Sequence, residues 1–205
     1  MNSGSPIVRG VHRLRDRIRK ETVRSVLAAA EDVFAAEGLH EASMAQIAER
    51  AGVAVGTLYN HFKDRDALLK ALIDQRKSEM YERIDRRRAE VAKEPFQEQL
   101  EAFVTAIVEH FEEHRSFLQI IFMSEHKGGP KHADTVKKLF ERLELLLKVG
   151  HREKVLRADP DSAFPVMLLG ALRGTLLRDL YGVPPMSPAA RVAALIEFFL
   201  RGAGR

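Results

Sequence analysis

The chain has 205 residues, 45% of them hydrophobic and 30% charged, with no cysteine and a formal net charge of +4. This length and apolar content support one or two domains with a real core, while the missing cysteine excludes disulfides, thiolate zinc sites and cysteine nucleophiles. The N-terminal MNSGSPIVRGVHRLRDR has no apolar h-region, and the longest apolar run, near 164–172, falls short of the roughly 20 residues of a membrane span. A soluble, cytoplasmic protein without a cofactor is expected.

Charge is unevenly placed. Between positions 9 and 24 stand Arg9, Arg13, Arg15, Arg17, Arg19, Lys20 and Arg24 against Asp16 and Glu21, so this segment alone carries +5. Such a basic segment on a balanced body suits contact with phosphates through counterion release; the alternative is a solvated tail kept for solubility. A flexible basic arm is expected over 1–15.

Helical periodicity then runs nearly throughout, and strand alternation is absent. Val23, Val26, Leu27, Ala30, Val33 and Phe34 form one apolar stripe, and Gly38 supplies a left-handed stop. Two short helices follow over 43–62. A long, polar-faced helix is predicted over 64–91, with Leu68, Leu69, Leu72 and Ile73 toward a core and Pro95 marking the break. Further helices are predicted over 96–114 (Leu100, Phe103, Val104, Ile107 and Phe111 on one side), 117–123, 134–151, 161–181 and 188–201. Lys127-Gly128-Gly129-Pro130-Lys131 reads as a loop, Asp159-Pro160 as a helix start, and Gly182 with Pro184 and Pro185 as a stop. The expected fold is all-α with about nine helices.

Residues 43–62, SMAQIAERAGVAVGTLYNHF, carry the most specific pattern. Ser43 is a good N-cap and Gln46 can reach back to close a capping box. Met44, Ile47, Ala48 and Ala51 make an apolar face, Gly52 takes a left-handed turn position, and Val53 plugs the turn. In the second helix Leu58 and Phe62 point inward and leave Gly56, Thr57 and Asn60 outward, flanked by Tyr59 and His61. This is the layout of a helix-turn-helix whose second helix lies in a DNA major groove; an αα-corner with a solvated polar face is the alternative. Thr57 can meet a phosphate or a thymine methyl, and Asn60 an adenine edge. Tyr59 and His61 can donate to phosphates, Gly56 lets the backbone approach, and Lys63 and Arg65 can clamp phosphate at the next helix start.

The run AGVAVGTLYNHFKDRDALL, preceded by AAAEDVFAAEGLH, resembles the DNA-binding domain of TetR-family transcriptional regulators over about residues 18–78. The resemblance implies a three-helix DNA-binding domain over 16–78 and a helical ligand-binding and dimerisation domain over 79–205. It implicates Ala45, Val55, Gly56, Thr57, Tyr59, Asn60, His61, Lys63 and Arg65 in operator contact. Ala54 stands where relatives often carry a small hydroxyl residue, and Val55 and Gly56 offer no hydrogen bond to bases, so DNA shape and the basic arm would carry more of the specificity. It further implies no enzymatic activity and a repressor role, although the residues themselves do not give the sign of regulation.

In the C-terminal half, Gly170 and Gly174 lie four apart on one helix face, and Leu195 and Phe199 belong to an amphipathic last helix with Val192, Ile196 and Leu200. Together they suggest a two-helix surface that pairs with its twin as a four-helix bundle; ordinary intrachain packing is the alternative. Phe103, Ile107, Phe111, Phe117, Phe122, Met123, Phe140, Leu143, Leu147 and Met167 are candidates to line an apolar ligand pocket or to form plain core. Arg173 interrupts an apolar helix and needs Asp179, Glu197, solvent or a ligand anion. His110 and His114 have metal-ligand spacing, with Glu109, Glu113 and His126 nearby, but are read as exposed histidines near a helix end. The leading expectation is a homodimer that releases a palindromic operator when a small molecule fills the C-terminal domain. A DNA-binding dimer with a solid C-terminal core and a metal-dependent helical enzyme are the other readings.

Overall fold

A computed structural model describes residues 6–126, 133–158, 163–178, 184 and 186–204. Among these residues the fold is all-helical: α1 (Pro6–Glu37), α2 (Met44–Ala51), α3 (Val55–His61), α4 (Arg65–Glu90), α5 (Phe96–Glu113), α6 (Arg115–His126), α7 (Ala133–Arg152), α8 (Ala163–Leu177) and α9 (Pro188–Ala203). The β structure among them is an isolated bridge between Leu156 and Gly204. The expected loop 127–131, the Asp159-Pro160 helix start, Asp179 and Gly182 lie outside the described residues. The chain divides into two compact units after Asp74 rather than after residue 78, and α4 runs through the division.

In the first unit, α1 begins at Pro6, so residues 6–15 are helical and not the flexible arm read from their charge. Proline is well suited to a first helical turn, and arginine and lysine lose little rotamer freedom in a helix; a basic run is therefore no barrier to helix. Val26, Ala30, Val33 and Phe34 are buried along one stripe of α1, which packs on α2. Gly38, with φ +94°, ends α1 as its N–H bonds to the Phe34 carbonyl.

The α2 N-terminus is a complete capping box. Gln46 N–H donates to Ser43 Oγ (3.2 Å), and Ser43 N–H donates to Gln46 Oε1 (2.9 Å). Gly52, with φ +67°, closes α2 in the left-handed conformation while Val53 N–H bonds back to the Ala48 carbonyl. Met44, Ile47, Ala48 and Leu58 are buried in this unit, as are Leu68, Leu69, Leu72 and Ile73 at the start of α4. Arg50 fastens α2 to α1 through Asp32 (2.8 and 3.2 Å).

The N-cap of α3 is Ala54, which has no side chain able to accept from the first turn. An Ala54→Ser substitution is expected to stabilise the first unit by about 1 kcal/mol through a new cap bond to the backbone. Thermal unfolding measures this, and an unchanged or lowered midpoint would reject the cap account.

In the second unit α5 is the central helix, packed against α6, α7, α8 and α9 and buried at Phe96, Leu100, Phe103, Val104 and Ile107. Its N-cap, Pro95, has no side-chain cap bond; the carboxylate of Glu153 instead accepts from Phe96 N–H (3.0 Å) and places negative charge at the helix start. Arg142 of α7 holds Asp85 of α4 with two bonds (2.9 and 2.7 Å), and its guanidinium lies over the Tyr81 ring. Ser187 caps α9 by accepting from Ala190 N–H, as its Ser-Pro start predicts. No helix among the described residues is long and apolar enough to cross a membrane.

Candidate functional site

The α2–turn–α3 corner sets the polar face of α3 outward because Leu58 is pinned in the core. Val55, Gly56, Tyr59 and Asn60 are exposed, with Tyr59 53% accessible, which is high for so large a ring. Thr57 and His61 are half-buried at the edge of the same face, and Ala45 is exposed on α2. A Cβ at Gly56 would meet nothing within 4 Å, so its openness reflects the surface and not a packing need.

Lys63 is almost fully exposed, whereas Arg65 is committed within the chain: its Nη1 donates to the carbonyl oxygen of His40 (2.5 Å) and Nε lies 3.8 Å from Asp66. Arg65 ties the start of α4 to the loop after α1. The cations Arg15, Arg17, Arg19, Lys20 and Arg24 are exposed on α1, with Arg17 3.7 Å from Glu21 one turn on. Helix α1 therefore presents them along one helix.

The second unit holds a cavity of about 380 Å³ among α4, α5, α6, α7 and α8. Of the residues predicted to line a pocket, Ile107, Phe111, Phe117, Phe122, Phe140 and Arg173 do so. Phe103, Leu143 and Leu147 are instead buried in the core cluster, and Met123 does not line the cavity. Met167 is 60% exposed on the outer face of α8. Lys77, Met80, Leu118, Ile121, Leu139, Val166, Leu169, Gly170, Leu172, Leu176 and Leu177 complete the wall, beyond the predicted pocket set. Their apolar periodicity marks most of them as inward-facing but does not separate cavity from core. Phe111 and Phe117 stack nearly parallel across the α5–α6 corner (6.0 Å, 8°).

Leu195 and Phe199 do not face outward as the pairing surface requires. Both are buried in their own unit's core, Phe199 edge-on to Phe164 at 5.9 Å. Among the described residues the exposed large apolar groups on α8 and α9 are Val166, Met167 and Phe198, the last 66% accessible; Gly174 is exposed on α8, whereas Gly170 and Val166 line the cavity. Helix α9 has the predicted amphipathicity, but the stripe expected to pair with a twin is its inner one.

A polar cluster joins α4 to α5. Arg83 binds the Glu113 carboxylate through both terminal nitrogens, and Arg76 binds Glu79 (2.8 Å). His110 is only 1% exposed, contrary to the exposed pair read from spacing, because Phe117 and Phe111 flank its ring. Burial, with the nearby His114 and Arg83 charges, pushes the His110 imidazole down to about 4, and its Nε2 has no hydrogen-bond partner among the described residues. The Arg83 hydrogen bond holds Glu113 below its ordinary carboxylate value. Burial opposes the charged form of Glu79, but bonds from Arg76 and Gln75 prevail and lower it. No group of three His, Cys, Asp or Glu side chains placed to hold a metal occurs among the described residues.

A capped helix-turn-helix in the first unit and a hollow helical body in the second define a class: a two-unit, all-α chain with an N-terminal helix-turn-helix. Residues 26–72 match the model for bacterial regulatory proteins of the tetR family. The match spans 47 of the chain's 205 residues and likens the first unit, from α1 to the start of α4, to the N-terminal part of that family's proteins. The chain is 43% identical over 53 residues to the HTH-type transcriptional regulator BetI of Yersinia pestis (strain Pestoides F) and 42% identical over 50 residues to the HTH-type transcriptional regulator UidR of Escherichia coli (strain K12). These stretches cover 26% and 24% of this chain and 25% and 26% of the relatives, so about a quarter of the relatives' length is matched.

The fold extends further than the sequence likeness. The fatty acid degradation regulator FadR from Bacillus halodurans superposes with TM-score 0.74 at 21% identity, covering 87% of this chain and 98% of that one. FadR from Bacillus subtilis, in complex with stearoyl-CoA, gives 0.75 at 20% identity over 87% and 98%. PfmR from Thermus thermophilus gives 0.73 at 20% identity over 88% and 99%. At such identities the likeness is one of fold.

Proposed function

We propose that the protein is a homodimeric DNA-binding transcription regulator, a repressor released from a palindromic operator when a small molecule enters the second unit. The observation that carries the reading is the outward face of α3, where Gly56, Tyr59 and Asn60 stand exposed, with Thr57 at their edge, over a fully capped α2. Donors, an open backbone and an aromatic hydroxyl on one short helix suit a major groove, and a palindrome follows from a two-fold pair of such helices. The exposed cations of α1 and Lys63 supply phosphate contacts. The exposed Met167 and Phe198, which line one shallow surface, are the pairing surface that this reading uses.

The cavity favours a small-molecule effector over a solid body answering only to a protein partner. For release, the effector must prefer one of two conformations, and α4 is the covalent route between cavity wall and reading unit. That a fold neighbour is held in complex with stearoyl-CoA supports effector binding by such bodies.

Selection of bound sequences from random DNA with the purified protein tests the reading, with an inverted repeat as the expected result and no enriched site as the result that defeats it. On the selected site, affinity should fall steeply with salt. Replacing Arg13, Arg15 and Arg17 together should flatten the log–log slope by about 0.9 for each phosphate that these cations neutralise. An unchanged slope would remove them from the interface.

A further inference from the structure

We propose that the N-terminal half of α1 is an interfacial helix that lies on an anionic lipid bilayer, with an aliphatic stripe in the surface and cations on the headgroups. Along the continuous helix Pro6–Glu37, Ile7, Val11, Leu14 and Ile18 recur at i, i+4, i+7 and i+11, and so share one register over about three turns. The stripe that packs into the first unit's core is a different one, where Val26, Ala30, Val33 and Phe34 are buried. At about 3.6 residues per turn the two stripes stand roughly a third of a turn apart, so the packing that covers the second does not extend to the face of the first. At its described end that face is open. Ile18 is 53% exposed, and every residue from 15 to 21 is exposed.

Charge selects the occupant. Residues 6–20 hold six cations against one anion, a net +5, and Arg9, Arg13, Arg17 and Lys20 keep a second register of their own. By register Arg15 and Arg17 border the aliphatic stripe on its two sides, and both are exposed. The Arg17–Glu21 pair (3.7 Å) is too open to water to neutralise much of this charge. An aliphatic stripe bordered by long cations suits a bilayer interface: the stripe enters the acyl boundary while the arginine stems reach back to the phosphates. A duplex answers the cations through its phosphates but buries no aliphatic stripe of this length. A second copy of α1 would bury the stripe but bring two segments of +5 together. A neutral bilayer would leave the cations without a counter-charge. The helix lies in the surface and does not span it, since no helix among the described residues is long and apolar enough to cross a membrane.

Flotation of the full chain with vesicles of equal parts phosphatidylglycerol and phosphatidylcholine, against vesicles of phosphatidylcholine alone, tests the proposal. The anionic vesicles should bind about tenfold or more tightly. The Val11→Gln/Ile18→Gln variant keeps every cation and introduces a good helix former. Its binding to the anionic vesicles should fall by about tenfold or more, while its affinity for the selected operator stays within about threefold. The chain has no tryptophan, so the Ile18→Trp variant carries a single reporter on the stripe. Its emission should shift to the blue with the anionic vesicles and stay unshifted with operator DNA. Undiminished vesicle binding by the glutamine variant would leave a charge effect only and overturn the proposal, as would binding no tighter than to phosphatidylcholine. A blue shift on adding DNA, or one that grows with protein concentration alone, assigns the stripe to the duplex or to a second copy and is equally fatal. Should circular dichroism show the glutamine variant unfolded, the tryptophan measurement decides by itself, and an unshifted emission on anionic vesicles rejects the proposal.

Discussion

Replacing Thr57 and Asn60 together with alanine is expected to weaken binding to the selected operator by about 10²–10³-fold without unfolding the protein. Each side chain stands on the outward face of α3 or at its edge while Leu58 holds the helix in place, so the double variant removes contact groups and leaves the scaffold. A side-chain contact to a base or phosphate is worth on the order of 1 kcal/mol or more, and two residues count twice in a two-fold complex, giving roughly 3–4 kcal/mol. Thr57 N–H already bonds to the Ala54 carbonyl through the backbone, which alanine preserves. Alanine also has the higher helix propensity, so α3 itself should not be weakened. Fluorescence anisotropy against labelled operator measures the effect, with circular dichroism as the folding control. An affinity unchanged within about twofold would show that α3 is not the reading helix.

The second large effect is acid sensitivity centred on His110. Burial and the neighbouring His114 and Arg83 charges set its folded value at about 4, against 6.5 for an ordinary imidazole. Because the folded value is the lower one, the unfolded chain binds the extra proton. Above pH 6.5 both states are neutral at this ring and no stability is lost. Between pH 6.5 and about 4 stability falls as pH falls, for a total on the order of 3 kcal/mol. Glu79, Glu112 and Glu113, all held below the ordinary carboxylate range, add losses in the same direction, beginning as pH falls through that range and continuing below it. Most of the His110 loss therefore comes at higher pH than the carboxylate losses.

Denaturant unfolding at pH 7 and pH 5 should show the native protein losing about 2 kcal/mol, and the His110→Leu variant losing clearly less. At pH 7 the variant should be no less stable by more than about 1 kcal/mol, since it removes a buried nitrogen that has no partner among the described residues. Equal losses in the two proteins would mean that His110 takes up its proton in the folded state at its ordinary value.

The sequence by itself determined the local features. The Ser43–Gln46 capping box, the left-handed stops at Gly38 and Gly52, and the Ser187 cap of α9 all involve groups within four residues of one another, so short-range chemistry settles them. The outward set on α3 was legible for the same reason: seven residues around one buried leucine leave little choice of face.

Only the tertiary structure decided which inward-facing residues meet a neighbour and which meet a void. Periodicity gives each helix one apolar stripe, but α5 is packed by four other helices, and where their faces diverge depends on how they cross. Phe103 and Leu143 are thus core, while Leu139 and Phe140, on the same helix as Leu143, line the cavity. The same limit inverted α9, where Phe199 is inner and Phe198 outer. Long-range partners were equally hidden: Arg65 bonds to a carbonyl 25 residues earlier, and His110 is buried by rings that include one from the following helix. A residue's type and spacing state what it can do, but burial and the partner across the fold determine which of those capacities is used.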